Sequence, residues 1–458
     1  MIEDTIAAIS TALGEGSIAV VRVSGPEAID TVAKVFRSKS DIKEAQTHTV
    51  HYGWIADPRT NTVLDEVLVT VMRGPRSFTA EDVVEVSTHG GIVAVKSVLE
   101  LILRSGARMA EPGEFTKRAF LNGRIDLAQA EAVIDLIRSK SDRAFQVAQK
   151  QAGGALSKLI LPMRQQLIEL LAHVEVNIDY PDDDIEEVTT SHIRMNCSDL
   201  LERVRELLKR ADEGKILREG IVTVIVGRPN AGKSSLLNAL ARDNKAIVTD
   251  IAGTTRDIVE ESVSISGIPL RLLDTAGIRE TSDVVERIGV ERSRSAIEDA
   301  DLILLVLNNH EPLHEDERTL FKQLKDRPTI VVVNKMDLPS QLELAEIEAD
   351  FDGERIVQLS AKEGSGVEAL EDAVSKLFFS GEVESGDITY VSNARHIALL
   401  HQTRQSLEDA ISATHEGVPI DLIQIDIAAA WESLGGILGD AAGDSLLDQI
   451  FSQFCLGK

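Results

Sequence analysis

Cysteine is nearly missing from this 458-residue chain: Cys197 and Cys455 are the only two. Two are far too few for a disulfide scaffold, and they form no C-x-x-C pair. No charged-then-apolar signal segment opens the sequence, so a reducing cytosol is the expected compartment and a cytoplasmic location the expected address. Long apolar runs are missing too. Leu302–Leu307 is strand-sized, well short of the ~20 residues that span a bilayer, so no membrane partner is expected. Positive charge is scarce: 48 Lys+Arg stand against 75 Asp+Glu, a net charge of −27. That balance excludes a uniformly basic nucleic-acid-coating protein and argues against anionic membrane surfaces as a partner.

What is present is the composition of an ordinary globular protein, 43% hydrophobic and 27% charged, without internal repeats or low-complexity segments. At ~150 residues per domain the length predicts about three domains. The acidity is uneven. Residues 1–120 carry −3 and 121–220 carry −4, while 221–380 carry −11 and 381–458 carry −9. The first half is therefore the less repulsive place for a polyanion.

Residues 1–118 read as a mixed α/β unit, with strand-like runs Ile18–Val23, Val63–Met72 and Val83–Ser87 among helical runs Pro26–Phe36 and Ile92–Leu103. From Phe115 the character changes. Proline is absent between Pro112 and Pro162, and Leu127, Ala130, Ile134 and Ile137 repeat at the spacing of one helix face. Further helices are predicted over Leu156–Val176 and Ile193–Ala211, separated by the acidic Tyr180–Asp184, which reads as a solvated loop rather than a metal site. Ile221–Val226 suits a buried parallel strand. Strands Leu270–Leu273, Leu302–Leu307, Ile330–Val333 and Ile356–Leu359 then alternate with helical segments to about residue 378, the doubly wound α/β pattern. The chain is helical again after Gly381. The expected fold class is multidomain α/β and all-α: an N-terminal domain over 1–118, a helical domain in two halves, 119–215 and 380–458, and an α/β domain inserted between them over 216–379.

The inserted block opens with Gly227-Arg-Pro-Asn-Ala-Gly232-Lys233-Ser234, a complete phosphate-loop motif between strand and helix. Its glycines let the loop curl so that backbone N–H groups of Asn230, Ala231, Gly232 and the following Ser235 can face phosphate oxygens. The helix N-terminus adds partial positive charge, Lys233 reaches the β/γ-phosphates, and the Ser234 hydroxyl can ligate Mg2+. Four more elements follow in order. Asp274-Thr275-Ala276-Gly277 can hold Mg2+ through water and meet the γ-phosphate. Thr254-Thr255, within Thr249-Asp250-Ile251-Ala252-Gly253-Thr254-Thr255, offers a hydroxyl to the Mg2+ shell. In Asn334-Lys335-Met336-Asp337 the Asp337 carboxylate matches guanine's two adjacent N–H donors, which adenine lacks. Ser360-Ala361-Lys362 supports the base through backbone amides. Five elements in register read as a P-loop GTPase, and the nucleotide as GTP. Residue 278 is Ile, so the water-orienting Gln of Ras-like enzymes is missing; Glu280 and Glu286 are candidates for that role, and Arg228, Arg256 and Arg279 read as surface arginines rather than an arginine finger.

These motifs, with Val285-Glu-Arg-Ile-Gly-Val-Glu291, Pro112-Gly-Glu-Phe-Thr-Lys-Arg-Ala-Phe-Leu-Asn122, Asp126-Leu-Ala-Gln-Ala-Glu-Ala132 and the terminal Phe451-Ser-Gln-Phe-Cys-Leu-Gly-Lys458, make the chain resemble the MnmE (TrmE) family of tRNA-modification GTPases over essentially its whole length. The resemblance implies K+ bound beside the nucleotide by Asn230, Thr249, Ile251 and Thr254, Mg2+ on Ser234 and Thr255 with Asp274 through water, and Glu286 as the catalytic residue that positions water. It implies an α+β N-terminal domain that dimerises the protein and holds 5-formyl- or methylene-tetrahydrofolate through Arg22, Glu85, Arg124 and Lys458. A carboxylate such as Glu85 suits a pterin edge and Arg or Lys suits the glutamate tail; read by residue type alone, each is an ordinary surface ion pair. Cys455 lacks the context of a prenylation box and admits two readings, a buried inert thiol or a thiol near the one-carbon unit.

The function so implied is a homodimeric, K+- and Mg2+-dependent GTPase that works with the FAD-carrying flavoprotein MnmG (GidA). The pair would install an aminomethyl or carboxymethylaminomethyl group at C5 of the wobble uridine of certain tRNAs. The competing class is a ribosome-assembly switch GTPase of the Era/Der type. That class calls for a basic RNA-binding appendage, whereas residues 381–458 hold three basic residues and twelve acidic. A folate-binding structural protein with a vestigial nucleotide domain is incompatible with the intact phosphate loop.

Overall fold

Alternation of apolar and polar residues builds the first sheet. In the computed structural model, which describes residues 4–179, 190–209, 211–243, 261–273, 296–379, 391–440 and 442–458, the N-terminal strands are β1 (Ile6–Ile9), β2 (Ile18–Ser24), β3 (Phe36–Arg37), β4 (Thr49–Ala56), β5 (Val63–Met72), β6 (Val83–His89) and β7 (Arg108–Met109). They lie in the order β3-β4-β5-β6-β2-β1-β7, antiparallel except for β1 beside β7. Helices α1 (Ala28–Ala33) and α2 (Ile92–Arg104) cover one face, where Val21, Val69, Val84 and Val86 meet Val95, Val98 and Ile102. On the other face Val50, Tyr52, Trp54 and Leu68 stay exposed, as one-sided antiparallel sheets allow.

Helices α3 (Glu114–Leu121), α4 (Leu127–Arg138), α5 (Asp142–Ala152), α6 (Ala155–Asp179), α7 (Thr190–Lys209) and α8 (Ala211–Glu219) follow. The predicted period of α4 buries Leu127, Ala130 and Ile134 against Leu447, Phe451 and Phe454 near the C-terminus, while Ile137, the fourth residue of that period, is exposed in the last turn of the helix. The second sheet comprises β8 (Ile221–Val226), β9 (Glu261–Ile265), β10 (Ile268–Leu272), β11 (Leu302–Asn308), β12 (Thr329–Asn334) and β13 (Ile356–Gln358), in the order β13-β12-β11-β8-β10-β9. All its pairings are parallel except β9 with β10. Every residue of β11 and β12 is buried, with alternate side chains feeding two separate cores, as a sheet covered on both faces requires. Its helices include α9 (Lys233–Asp243), α10 (Glu315–Leu324), α11 (Leu344–Glu348) and α12 (Val367–Phe378). After it come α13 (Ala394–Glu416), α14 (Ile420–Leu438) and α15 (Asp444–Phe451).

The chain divides into two compact bodies: Met1–Ile134 with Gln151–Asp179 and Ile427–Lys458, and Asp135–Lys150 with Tyr180–Asp426. In the second body α7, which precedes the nucleotide-fold strands, lies along α13, which follows them, and Arg205 of α7 pairs with Glu408 of α13 at 3.1 Å. Among the described residues no helix is long and apolar enough to cross a membrane.

Some boundaries differ from the sequence reading. The helix expected over Pro26–Phe36 spans only Ala28–Ala33, because Phe36 and Arg37 pair with Ile55 and Trp54 as an edge strand. The helix expected over Ile193–Ala211 starts earlier, at Thr190, and is described to Lys209 as α7; residue 210 lies outside the described residues, and helix is described again from Ala211 as α8. Strands β1, β3, β4, β7 and β9 carried too weak or too short a pattern to be read from the sequence.

Helix α3 holds a fully buried arginine. Arg118 reaches Asp4 at 2.7 Å, Glu114 at 3.0 Å and Glu81 at 3.3 Å, and Arg108 adds bonds to Asp4 and Glu114. Burial works against ionisation of both Asp4 and Glu114. Hydrogen bonds from Arg108 and Arg118 outweigh it and hold both carboxyls below their usual range, so the cluster stays charged. Removing the arginine leaves carboxylates without their counter-charge. Arg118→Ala is expected to destabilise the first body by about 3 kcal/mol, read as a lower denaturant midpoint. An unchanged midpoint would show the cluster to be energetically idle. Because the folded-state values are depressed, this stabilisation is complete above about pH 4.5 and declines as pH falls through them. Acid unfolding of wild type should therefore show a contribution from the cluster that the variant lacks.

Candidate functional site

The β-branched run of β8 places its C-terminal end at the middle of the second sheet, beside β11. There the chain must leave the strand while pressed against β11. Gly227 does so at φ 149°, and a Cβ on it would lie 2.3 Å from the Val306 carbonyl oxygen. Gly232, at φ 100°, has the same requirement on the other side, because a Cβ would sit 2.1 Å from Nδ2 of Asn334. The two glycines thus shape a cradle that any side chain would fill. Between them Asn230 takes a left-handed φ of 62° and Ala231 is buried. Lys233 opens α9, and its Nζ donates to the carbonyls of Gly227 (2.7 Å) and Arg228 (2.8 Å), closing the loop on itself. Burial lowers the Lys233 pKa. Ser234 and Ser235 follow as exposed residues in the first turn of α9, the end that favours anions.

The base-recognition residues gather on the neighbouring strand ends. Asn334, the buried last residue of β12, donates from Nδ2 to the Ala231 carbonyl at 3.1 Å. Its Oδ1 accepts from Lys335 N at 2.8 Å and Ala361 N at 3.1 Å. One side chain therefore joins the phosphate loop, the Asn334–Asp337 loop and the Ser360–Lys362 loop. Lys335 turns at φ 66°, and Ser360 Oγ donates to Asp337 Oδ1 at 2.7 Å. That hydrogen bond lowers the Asp337 pKa and keeps an exposed carboxylate ionised with acceptor capacity to spare. Lys362 is exposed beside it in sequence. These residues fit a guanine nucleotide: two N–H donors on the base meet an ionised acceptor, and phosphates meet a Gly-shaped cradle at a helix N-terminus.

Thr249, Asp250, Ile251, Ala252, Gly253, Thr254, Thr255, Asp274, Thr275, Ala276, Gly277 and Glu286 lie outside the described residues, as do Arg256, Ile278, Arg279 and Glu280. Of the K+ and Mg2+ ligands named from sequence, Asn230 and Ser234 alone are described.

Of the four residues assigned to folate by resemblance, Arg22 and Arg124 lie over aromatic rings that the sequence reading did not single out, while Glu85 pairs with Arg22 and Lys458 meets the same region through its backbone. Arg22 on β2 faces Glu85 on β6, with Nη2 to Oε1 at 2.8 Å and Nε to Oε1 at 2.9 Å. The Arg22 guanidinium lies over Phe78 (5.5 Å) and Phe115 (5.6 Å). Arg124 stacks on Phe78 at 5.1 Å and donates to its carbonyl at 2.7 Å. The Lys458 carbonyl accepts from Phe115 N at 3.2 Å, bringing the C-terminus to the same place. Cys455 is exposed, which removes the buried-thiol reading: Phe454 takes the core position beside it instead. Phe115 stands inside the Pro112–Asn122 motif, but nothing in the sequence distinguished Phe78 from a core phenylalanine.

Comparison with known proteins agrees along the whole chain. A family profile described as the GTP-binding protein TrmE N-terminus matches residues 5–124, and one described as the MnmE helical domain matches residues 127–455. The chain is 58% identical to the tRNA modification GTPase MnmE of Geobacillus thermodenitrificans, over 99% of each chain. It is 55% identical to that of Staphylococcus epidermidis, again over 99% of each. Among solved structures, a single-residue variant of Aquifex aeolicus Era bound to GDP.AlF4- is 29% identical over 41% of this chain and 66% of that one, with a TM-score of 0.27.

An amide at position 337 would present a donor where guanine also presents donors. Asp337→Asn is expected to weaken GTP binding about 100-fold and to improve binding of xanthosine triphosphate, both read by nucleotide titration. Undiminished GTP affinity would remove Asp337 from base recognition.

Proposed function

The chain belongs to the MnmE family of tRNA modification GTPases, and on that premise we propose that it is a K+-activated GTP hydrolase that acts with a flavoprotein of the MnmG (GidA) kind to modify C5 of the wobble uridine of certain tRNAs. The observation that carries the nucleotide half of this reading is the Asn334 tie, which holds the phosphate loop and both base-recognition loops as one unit. Lys233 would neutralise β- and γ-phosphate oxygens, and Asp337 would select guanine. Ser234 and Thr255 would hold Mg2+ directly and Asp274 through water. Asn230, Thr249, Ile251 and Thr254 would hold K+. The two cations supply positive charge where negative charge builds during phosphoryl transfer, the task an arginine finger performs elsewhere. With Ile at 278, Glu286 would orient the attacking water.

Arg22, Glu85, Arg124 and Lys458 would bind a formyl- or methylene-tetrahydrofolate, with the partly exposed Phe78 as its apolar wall and the buried Phe115 supporting Arg22; a ring stacked under guanidinium groups suits a planar pterin and a carboxylate tail. Cys455, exposed at the chain's end, is assigned to the neighbourhood of the one-carbon unit. The exposed sheet face with Val50, Tyr52, Trp54 and Leu68 supports a second copy of the chain as its cover, hence a homodimer. Residues 119–215 with 380–458 would form the helical domain that transmits opening and closing of the nucleotide domain, residues 216–379. FAD would reside on the partner, and the scarcity of cysteine supports a cytoplasmic setting.

Turnover of GTP should be many-fold faster in KCl than in NaCl, and equal rates would end the role assigned to K+. Glu286→Ala should retain GTP affinity and lose turnover by about 100-fold or more, while an active variant would move the water-orienting role elsewhere. The broadest test is nucleoside analysis of tRNA from a deletion strain, where the wobble-uridine modification should vanish. An unaltered profile would favour the ribosome-assembly class instead.

A further inference from the structure

One region of the first body runs against the acidity of the whole. Lys34, at the end of α1, Arg59, in the turn between β4 and β5, and Arg104, in the last turn of α2, line a cleft of ≈ 430 Å³ floored by Leu101 and completed by Asp57, Pro58 and Ser105. Arg37 is drawn to the same turn by a 2.9 Å hydrogen bond to Asn61. All four cations are exposed. None forms an ion pair with a carboxylate among the described residues. The acidic groups around them are otherwise engaged: Asp57 accepts from Arg59 N at 2.8 Å to shape the turn, and Asp30 pairs with Lys43 at 2.6 Å.

Part of this charge has a structural use. Lys34 Nζ donates to the Ser105 carbonyl at 3.0 Å and so satisfies the C-terminal end of α2, where cations are favoured. That use occupies one ammonium, and Arg104 Nε makes a longer bond to the Glu100 carbonyl, 3.3 Å, within α2. It leaves the guanidinium groups of Arg59 and Arg104 beside an open cleft in a chain of charge −27, where pairing with one of 75 acidic residues would be easy. Guanidinium groups spaced along a rim, with no deep apolar pocket, match a run of phosphates better than a compact metabolite.

We propose that the cleft between Lys34, Arg59 and Arg104 is a docking site for the sugar–phosphate backbone of a structured RNA. The proposal rests on the reading of this protein as one that works on tRNA, and it adds where on this chain the RNA is held. Contacts of this kind position the RNA without reading its sequence, so affinity should depend on salt and be nearly indifferent to the loop bases.

The test is the affinity of the full-length protein for a labelled tRNA transcript, measured across ~50–200 mM KCl. The variants are Arg59→Ala/Arg104→Ala and, as a distant surface control, Lys322→Glu on α10. Lys34 is left in place because it also satisfies α2. The double variant is expected to bind about tenfold more weakly, with the slope of log affinity against log salt reduced by roughly 1 to 2. GTP turnover and thermal melting should not change, since both arginines are exposed and outside the nucleotide loops, and Lys322→Glu should bind as wild type. Unchanged affinity and slope in the double variant would overturn the cleft while leaving tRNA binding elsewhere intact. Equal loss in Lys322→Glu would reduce the effect to net charge and overturn it too. A wild-type protein that turns over GTP yet binds no tRNA at any salt would overturn the cleft and also remove direct tRNA contact from the functional reading.

Discussion

A single buried side chain, Asn334, holds the nucleotide site together. Three of its amide's four hydrogen-bonding positions are in use: Nδ2 serves the carbonyl of Ala231 in the phosphate loop, and Oδ1 serves the N–H groups of Lys335 and Ala361. No other residue type fits. Aspartate has no donor for Ala231, leucine would strand one buried carbonyl and two N–H groups, and glutamine would need the space that Gly232 already concedes. Because a buried polar group left unpaired costs about 1–3 kcal/mol, the three loops are stable in their native arrangement only together. The β-branched strands explain why they can meet. β8, β11 and β12 run parallel, so their C-terminal ends open on the same edge of the sheet, where ligands of open α/β sheets bind.

The first body solves a different problem, since its candidate site rests on a loop rather than on strand ends. Residues 74–82 carry Phe78 and are held mainly by side chains of α3 and its C-terminal turn. Asn122 donates to the Thr79 carbonyl at 2.7 Å, Arg124 to that of Phe78, and Arg118 to Glu81. Ser24 of β2 adds bonds to Thr79 and Glu81, each 2.7 Å. The charged cluster beneath α3 thereby fixes the height of the Phe78 ring relative to Arg22. A buried ionic cluster is a weak source of net stability, but it tolerates few alternative arrangements, and a site that stacks a planar ligand needs a fixed ring more than added stability.

How legible each part was in the sequence follows from how local its physics is. The phosphate loop and Asn334–Asp337 could be read directly, because backbone curvature and base matching impose fixed residue types at fixed spacings. The second sheet was legible for the related reason that strands buried on both faces are continuous apolar runs such as Leu302–Leu307. β4 was not: Thr49–Ala56 alternates around a glycine, Gly53, which a Cβ would drive into Arg37 and the Phe36 ring, and that requirement arises only once β3 is in place. Phe78 was invisible for the same reason. Its role comes from Arg22 and Arg124, 56 and 46 residues away in sequence, and no local pattern announces such a meeting. Resemblance to the family supplied Arg22, Glu85, Arg124 and Lys458, and the structure supplied the rings between them.

Net charge was the least informative quantity at the start, and the structure explains why. Charges separated by more than ~8 Å are largely screened at physiological salt, so a polyanion responds to the groups under it rather than to the total of −27. The total still acts at longer range and weakly, disfavouring indiscriminate association with RNA wherever acidic residues dominate, above all residues 221–458 with −20 of it. A few unpaired guanidinium groups in the segment of residues 1–120, which carries only −3, therefore count for more than they would on a basic protein. An overall acidic surface with a small cationic cleft favours a ligand that places phosphates there and rejects one that merely carries negative charge.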